Sequence, residues 1–180
     1  MVYVFLAEGF EEIEALTQVD LLRRAGIEVK TVSVTSEKEV CGSHGIKTVA
    51  DCLISETDCC DANMLILPGG MPGVTNLYGC EKLLGILKSH FNVGGKISAI
   101  CAAPLILGRL GILDGKMATC YPGFENELSG ANYFDCPVVV DGNIITAKSA
   151  GAAIDFAAEI ISSLLTDEAA DKVLSDIYYE

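Results

Sequence analysis

Cys101 is the residue whose setting most invites chemistry. It lies in the run GGKISAICAAPLILGRL at positions 94–110. Residues 96–100 form a short apolar run after a Gly-Gly break, the pattern of a buried strand. Residues 102–110 read as a helix, with Pro104 tolerated only within its first turn. Cys101 falls between the two, with no residues spare for a relaxed loop. A side chain on such an elbow is pushed out of the fold, as serine nucleophiles are in α/β-hydrolases. The N–H groups and positive dipole end of the helix behind it would lower the thiol pKa, and the thiolate is the reactive form. The same segment is also compatible with an inert buried cysteine, because free cysteine is among the most buried residue types.

Carboxylates gather elsewhere. Glu8, Glu11, Glu12 and Glu14 crowd the start of a predicted helix, where anions suit the dipole. Glu14 differs in lying one turn in, beside apolar Ile13 and Ala15. From there it can project over the carboxyl edge of a sheet, where open α/β proteins bind ligands. The run LPGGMPG at 67–73 leaves a strand end with exposed backbone N–H groups and little bulk. It reads as an anion nest or oxyanion hole, or as a tight connection. It is no P-loop, since the Lys-Ser/Thr is missing. His44 falls at a hairpin tip and reads as a solvated loop histidine. His90 ends a helix at the sheet edge opposite the elbow, so it is discounted as a base for Cys101. The adjacent Cys59 and Cys60 read as structural.

The elements that position these groups follow from periodicity. A strand at 2–6, a helix at 11–25 closed by Gly26 and a strand at 28–34 form a βαβ unit, which implies a parallel sheet with a right-handed crossover. A hairpin is expected around 42–45, a short helix or turn at 55–60 and a strand at 63–67. A helix at 81–91 precedes the Cys101 strand, and a strand at 116–119 follows the elbow helix. If the sheet is doubly wound, Cys120-Tyr121-Pro122-Gly123 then leaves that strand near the elbow. Asp141-Gly142 marks a second hairpin. An amphipathic helix at 152–165 and a last helix capped by Thr166 complete the chain.

With 180 residues, the chain reads as a single domain over 1–180 that can bury about 70% of its extended surface. A hydrophobic content of 51% and the absence of Trp fit an α/β fold with a buried sheet. The net charge of −13 argues against nucleic acid and anionic membranes as partners. The N-terminus lacks a signal peptide's basic flank, and no apolar run is long enough to span a bilayer. A cytoplasmic location with reduced thiols is expected. Eight cysteines without any C-x-x-C, and two histidines far apart in sequence, give no metal site.

Five stretches together carry a family resemblance. AEGFEEIE, VDLLRRAGI at 19–27, LPGG at 67–70, AICAAP at 99–104 and ITAKSAGAAIDFA at 145–157 occur in that order. The chain resembles the ThiJ/PfpI superfamily, and within it the clade of the parkinsonism-associated deglycase. The resemblance spans essentially the whole chain. It implies a flavodoxin-like three-layer sandwich that dimerises, with a mostly parallel sheet, helices on both faces and a nucleophile-elbow cysteine at Cys101. It also implies oxidation of Cys101 to sulfinate and a protonated Glu14 touching the sulfur. Backbone donors would come from Gly69, Gly70 and Ala102. No cofactor is implied.

Two departures shape the expected chemistry. Ala102 stands where peptidase-like members carry histidine, so a Cys-His-acid triad is lacking. Tyr121 stands where the human-type member of the clade has a histidine near the cysteine. As a pocket residue Tyr121 can hydrogen-bond a substrate, but a pKa of ~10 makes it a poor base. In addition, Lys148-Ser149-Ala150 replaces a common Arg-Gly-Pro, altering the pocket rim or dimer contacts. The leading expectation is a cysteine-dependent glyoxalase or deglycase-like hydrolase acting on α-oxoaldehydes or their adducts. The rival is a non-catalytic redox sensor or chaperone-like dimer using the same two residues. Peptidase and thiazole-phosphate roles are disfavoured.

Overall fold

The computed structural model describes residues 1–179. Its strands in chain order are β1 (Val2–Leu6), β2 (Val29–Ser33), β3 (Glu39–Cys41), β4 (Lys47–Val49), β5 (Cys52–Leu53), β6 (Met64–Leu67), β7 (Lys96–Ile100), β8 (Met117–Ala118), β9 (Asn132–Tyr133), β10 (Val138–Asp141) and β11 (Ile144–Ala147). The helices are α1 (Glu12–Arg24), α2 (Gly73–Tyr78), α3 (Glu81–Asn92), α4 (Pro104–Arg109), α5 (Ala153–Leu164) and α6 (Asp167–Asp176).

Seven strands form the main sheet, in the order β10-β11-β7-β6-β1-β2-β5. Every pairing in it is parallel except the β10–β11 hairpin. A parallel sheet must be covered on both faces, which is why its strands read as unbroken apolar runs. Successive side chains then feed opposite cores. Val2, Val4 and Leu6 of β1 pack into the core beneath α1 and α5, with Leu22, Phe156 and Ile160. Tyr3 and Phe5 pack into the other core, with Leu77, Leu83 and Ile106 from α2, α3 and α4. The result is the expected flavodoxin-like three-layer sandwich. The elbow strand β7 sits near the middle of the sheet, with β6 on one side and β11 on the other.

Several expectations change. The elbow helix begins at Pro104 rather than at residue 102, because Pro104 has no N–H to give and suits a first helical turn. The strand expected at 116–119 does not join the main sheet. β8 pairs with β9 in a separate two-stranded sheet, and Thr119 N–H reaches the main sheet through Thr146 Oγ1 at 2.9 Å. Short helix α2 follows the glycine-rich loop, where Pro72 and Gly73 concealed it. At residues 54–56 the chain makes one 3₁₀ turn. Among the described residues, no helix is long and apolar enough to cross a membrane.

Phe156 is fully buried, so Phe156→Ala is expected to cost about 3–5 kcal/mol in a denaturant melt. Glu159→Ala, on the exposed face of the same helix, should change stability by no more than about 0.5 kcal/mol.

Candidate functional site

Cys101 occupies the elbow with φ +65°, in the left-handed region. A non-glycine residue there costs roughly 1–2 kcal/mol, so its surroundings must hold it. They do so through the backbone. Cys101 N–H donates to Ala147 O at 2.9 Å, and Tyr121 N–H donates to Cys101 O at 2.8 Å. The sulfur is thereby fixed from β11 on one side and from the segment after β8 on the other.

Glu14 arrives from α1. Glu11 caps the helix by accepting Glu14 N–H at 2.7 Å on Oε2. That cap sets the start of the helix and turns Glu14 inward, where it is 1% exposed. Gly69 N–H donates to Glu14 Oε2 at 2.9 Å. The backbone N–H of Ala150 and the Cys101 side chain also face the carboxyl closely enough to act on its pKa. A Cβ at Gly69 would stand 2.4 Å from Glu14 Oε2 and 2.6 Å from Cys101 Cβ. Only glycine lets the end of β6 pass between the two side chains.

Burial pushes the Glu14 pKa up to about 7, and the charge of Glu11 adds to the rise. The bonds from Cys101, Gly69 and Ala150 pull the other way without overcoming it. Cys101 is pushed up to about 12, first by burial, then by the Glu14 charge and the hydrogen bond to it. The elbow alone was expected to lower the thiol pKa. The backbone N–H groups of Ala102 and Gly70 do favour the thiolate, but they are outweighed by burial first and by Glu14 second. The two groups therefore hold at most one negative charge between them near neutral pH. With the proton on Glu14, the carboxyl becomes a donor and the sulfur keeps its two backbone N–H bonds as a thiolate.

Three of the candidate donors thus have different roles. Ala102 and Gly70 face the sulfur, whereas the Gly69 N–H is committed to Glu14. Tyr121 is tied to the elbow through its backbone, while its half-exposed ring packs edge-on against Phe124, with centroids 6.4 Å apart. His90 Nε2–H donates to Lys96 O at the far end of β7, away from the elbow.

The sequence reading gave no role to Gln18 and placed Ala150 only at the pocket rim or dimer contacts, without its N–H facing Glu14. Gln18 lies one turn beyond Glu14 and is fully buried. Its Nε2 donates to Ala153 O at 2.9 Å, which ties α1 to the turn that presents Ala150. A backbone donor carries no side-chain signature, but a glutamine on the apolar face of α1 was a visible anomaly.

His44 is the exposed loop histidine expected, with a partner that the sequence did not show. Its ring is largely exposed but paired, with Nδ1 2.8 Å from Glu12 Oε2. Glu12 Oε1 accepts His44 N–H at 2.8 Å. Together they pin the β3–β4 hairpin to the start of α1, and these bonds hold Glu12 down at about 2. Glu11, Glu12 and His44 each offer a donor atom within 4.8 Å of the others, a grouping that this ion pair already explains.

The description "DJ-1/PfpI family" fits residues 1–163 of the chain. Protein DJ-1 homolog A of Arabidopsis thaliana is 38% identical over 97% of this chain, which spans only 45% of that relative. The "Glutathione-independent glyoxalase DJR-1.2" of Caenorhabditis elegans is 31% identical, over 94% of this chain and 91% of its own. "Deglycase TK1284" of Thermococcus kodakarensis is 32% identical, over 83% and 90%. The solved structure "Toxoplasma gondii DJ-1, oxidized" superimposes with a TM-score of 0.95 at 36% identity, covering 99% of this chain and 97% of its own.

The raised Glu14 pKa has a consequence for stability. In an unfolded chain the group releases its proton near 4.5, and in the folded protein near 7. Between these values the native state binds more protons, so Glu14 lowers stability as pH rises, by up to about 3 kcal/mol. Thermal melts of wild type and Glu14→Gln should therefore diverge in favour of the variant between pH 5 and pH 8. A constant difference across that range would refute the burial of an ionisable Glu14.

Proposed function

Because this chain belongs to the DJ-1/PfpI family, we propose that it is a cysteine-dependent glyoxalase or deglycase-like hydrolase. Its substrates would be α-oxoaldehydes or their protein or nucleotide adducts. The observation that carries this reading is the buried Glu14 carboxyl standing beside Cys101, with only the bare backbone of Gly69 between them, at an elbow where two backbone N–H groups face the sulfur. The glyoxalase and deglycase named among the relatives support the reaction class.

In this reading Cys101 attacks the aldehyde carbon as a thiolate, the carbonyl π electrons move to oxygen, and Glu14 protonates that oxygen. The resulting Glu14 carboxylate takes the proton from the former aldehyde carbon while the neighbouring carbonyl oxygen takes one up, giving an enediol; the second carbon is then protonated and the first hydroxyl gives up its proton. The adduct becomes a thioester of a 2-hydroxy acid. Water cleaves it, releasing the acid and restoring the thiol, so no external oxidant is required. The N–H groups of Ala102 and Gly70 steady the oxyanion, and each such donor is worth about 3–4 kcal/mol in comparable sites. Glu14 can serve in both directions because its pKa of about 7 matches the working pH.

A redox-sensor reading rests on the same contact: a protonated Glu14 would hydrogen-bond a Cys101 sulfinate and hold oxidation at that stage. The assembly we propose is a homodimer. Ile13 on α1 and Ile46 and Val49 on the hairpin pinned beside it are all more than half exposed, which is costly for an isolated monomer.

Methylglyoxal turnover under strictly reducing conditions separates the readings. The enzyme reading expects wild-type turnover, none in Cys101→Ser, and a loss of about 100-fold or more in Glu14→Gln. Equal rates in all three proteins would remove it. Activity or partner binding that appears only after peroxide treatment would establish the sensor instead. Sedimentation at micromolar concentration should show a dimer, and Ile13→Glu should shift it to monomer.

A further inference from the structure

Gln18 stands on the side of α1 that meets α5, one turn beyond Glu14. The neighbouring core residues on these two helices are apolar, among them Val19, Leu22, Ala153 and Ala157. Gln18 is nevertheless fully buried there. Its Nε2 donates to Ala153 O at 2.9 Å, but its Oε1 has no hydrogen-bond partner. Among the described residues, no other buried side-chain nitrogen or oxygen is left in this state. An acceptor kept from water without a partner is destabilising, whereas an apolar side chain of the same shape is tolerated or preferred. Packing therefore gives no reason for an amide at position 18.

The one bond it makes does. Ala153 opens α5, and the turn before it joins β11 to that helix. Ala147, at the end of β11, accepts the Cys101 N–H. Ala150, three residues on, faces Glu14 with its N–H. Neither the 3₁₀ turn Ala150–Ala152 nor α5 has a side-chain cap. Among the described residues, Gln18 supplies the one side-chain hydrogen bond to the backbone of residues 148–153. The turn is thus held by β11 at one end and by Gln18 at the other. Gln18 and Glu14, four residues apart, share one face of one helix.

We propose that Gln18 is a positioning residue for the Cys101–Glu14 pair: its bond to Ala153 O holds the Ala150 N–H against the Glu14 carboxyl and so biases which of the two groups keeps their shared proton. A donor facing a carboxyl favours its charged form, and the Ala150 N–H acts in that direction. Without it, Glu14 would meet burial and the charge of Glu11 with one backbone donor fewer, keeping Gly69. The carboxyl would then hold its proton to higher pH. Because a single proton remains on the pair, one drawn to the Glu14 oxygen is one taken from the Cys101 sulfur, and the thiolate becomes more frequent. The titratable groups that act most on Glu14 are Cys101 at the elbow and Glu11 at the cap of α1; Glu12 is engaged by His44.

The test is the pH dependence of Cys101 alkylation by iodoacetamide in the full-length chain, resolved from the other cysteines by peptide mass spectrometry. Gln18→Met keeps the length of the side chain and removes the donor. It should move the alkylation midpoint up by about half a pH unit and raise the plateau rate about threefold, with the melting temperature unchanged or higher. Gln18→Asn, too short to reach Ala153 O, should shift both in the same direction, so the outcome does not hang on one variant folding. Ser98→Ala removes another buried polar side chain, whose hydroxyl donates to Met64 Sδ at 3.4 Å, and should move neither. A midpoint unchanged in both Gln18 variants, a lower plateau, or an equal shift in Ser98→Ala would overturn the proposal. The readout needs no turnover. If wild type fails to convert methylglyoxal, the proposed reaction falls, and alkylation still decides the role of Gln18.

Discussion

A carboxyl group and a thiol, both out of water and in contact, share room for one negative charge. That constraint governs the site. Burial alone drives both groups toward their neutral forms, and each makes ionisation of the other harder. Near neutrality the pair can lose one proton, and the remaining one can sit on oxygen or on sulfur. The surrounding backbone contributes to both arrangements. Gly69 and Ala150 favour charge on the Glu14 carboxylate, while Ala102 and Gly70 favour charge on sulfur. Of the two arrangements, the proton on sulfur is favoured, since the Cys101 thiol is pushed up to about 12 and the Glu14 carboxyl only to about 7.

The fold serves this pair by removing freedom around it. The elbow holds Cys101 in a backbone conformation that it would not adopt alone, and the hydrogen bonds to Ala147 and Tyr121 keep it there. The end of β6 passes so near both side chains that only glycine fits at position 69. On the other side Glu11 caps α1, and the Glu12–His44 pair fastens the hairpin across its first turn. Three central strands and the first helix thus converge on one point. The carboxyl ends of parallel strands are where an α/β sheet can bring such elements together.

The two ends of the sheet handle cysteine differently. At the carboxyl end one thiol faces backbone donors and a titrating acid, which suits nucleophilic or redox chemistry. At the amino end the Cys59 thiol is pushed up to about 11 by burial and that of Cys60 is raised by Asp58.

Local sequence determined whatever depends on backbone sterics and short-range periodicity. The strands at 2–6 and 96–100 have the expected limits. Gly26 closes α1 with φ +79°, and the Asp141-Gly142 hairpin forms. The elbow was legible because an apolar run, one cysteine and a proline-headed helix leave only one geometry. Five ordered motifs also brought Glu14 and Cys101 under suspicion together. Tertiary structure alone decided how the polar groups are allotted. It gave the Gly69 N–H to Glu14 rather than to the sulfur, brought in Ala150, and reversed the expected thiol shift. It also drew His44 into an ion pair and left β8 outside the main sheet. The reason is physical: a backbone N–H has the same chemistry in every residue, so its partner is set by which strand ends lie side by side. A buried group's pKa likewise depends on neighbours that are distant in the chain.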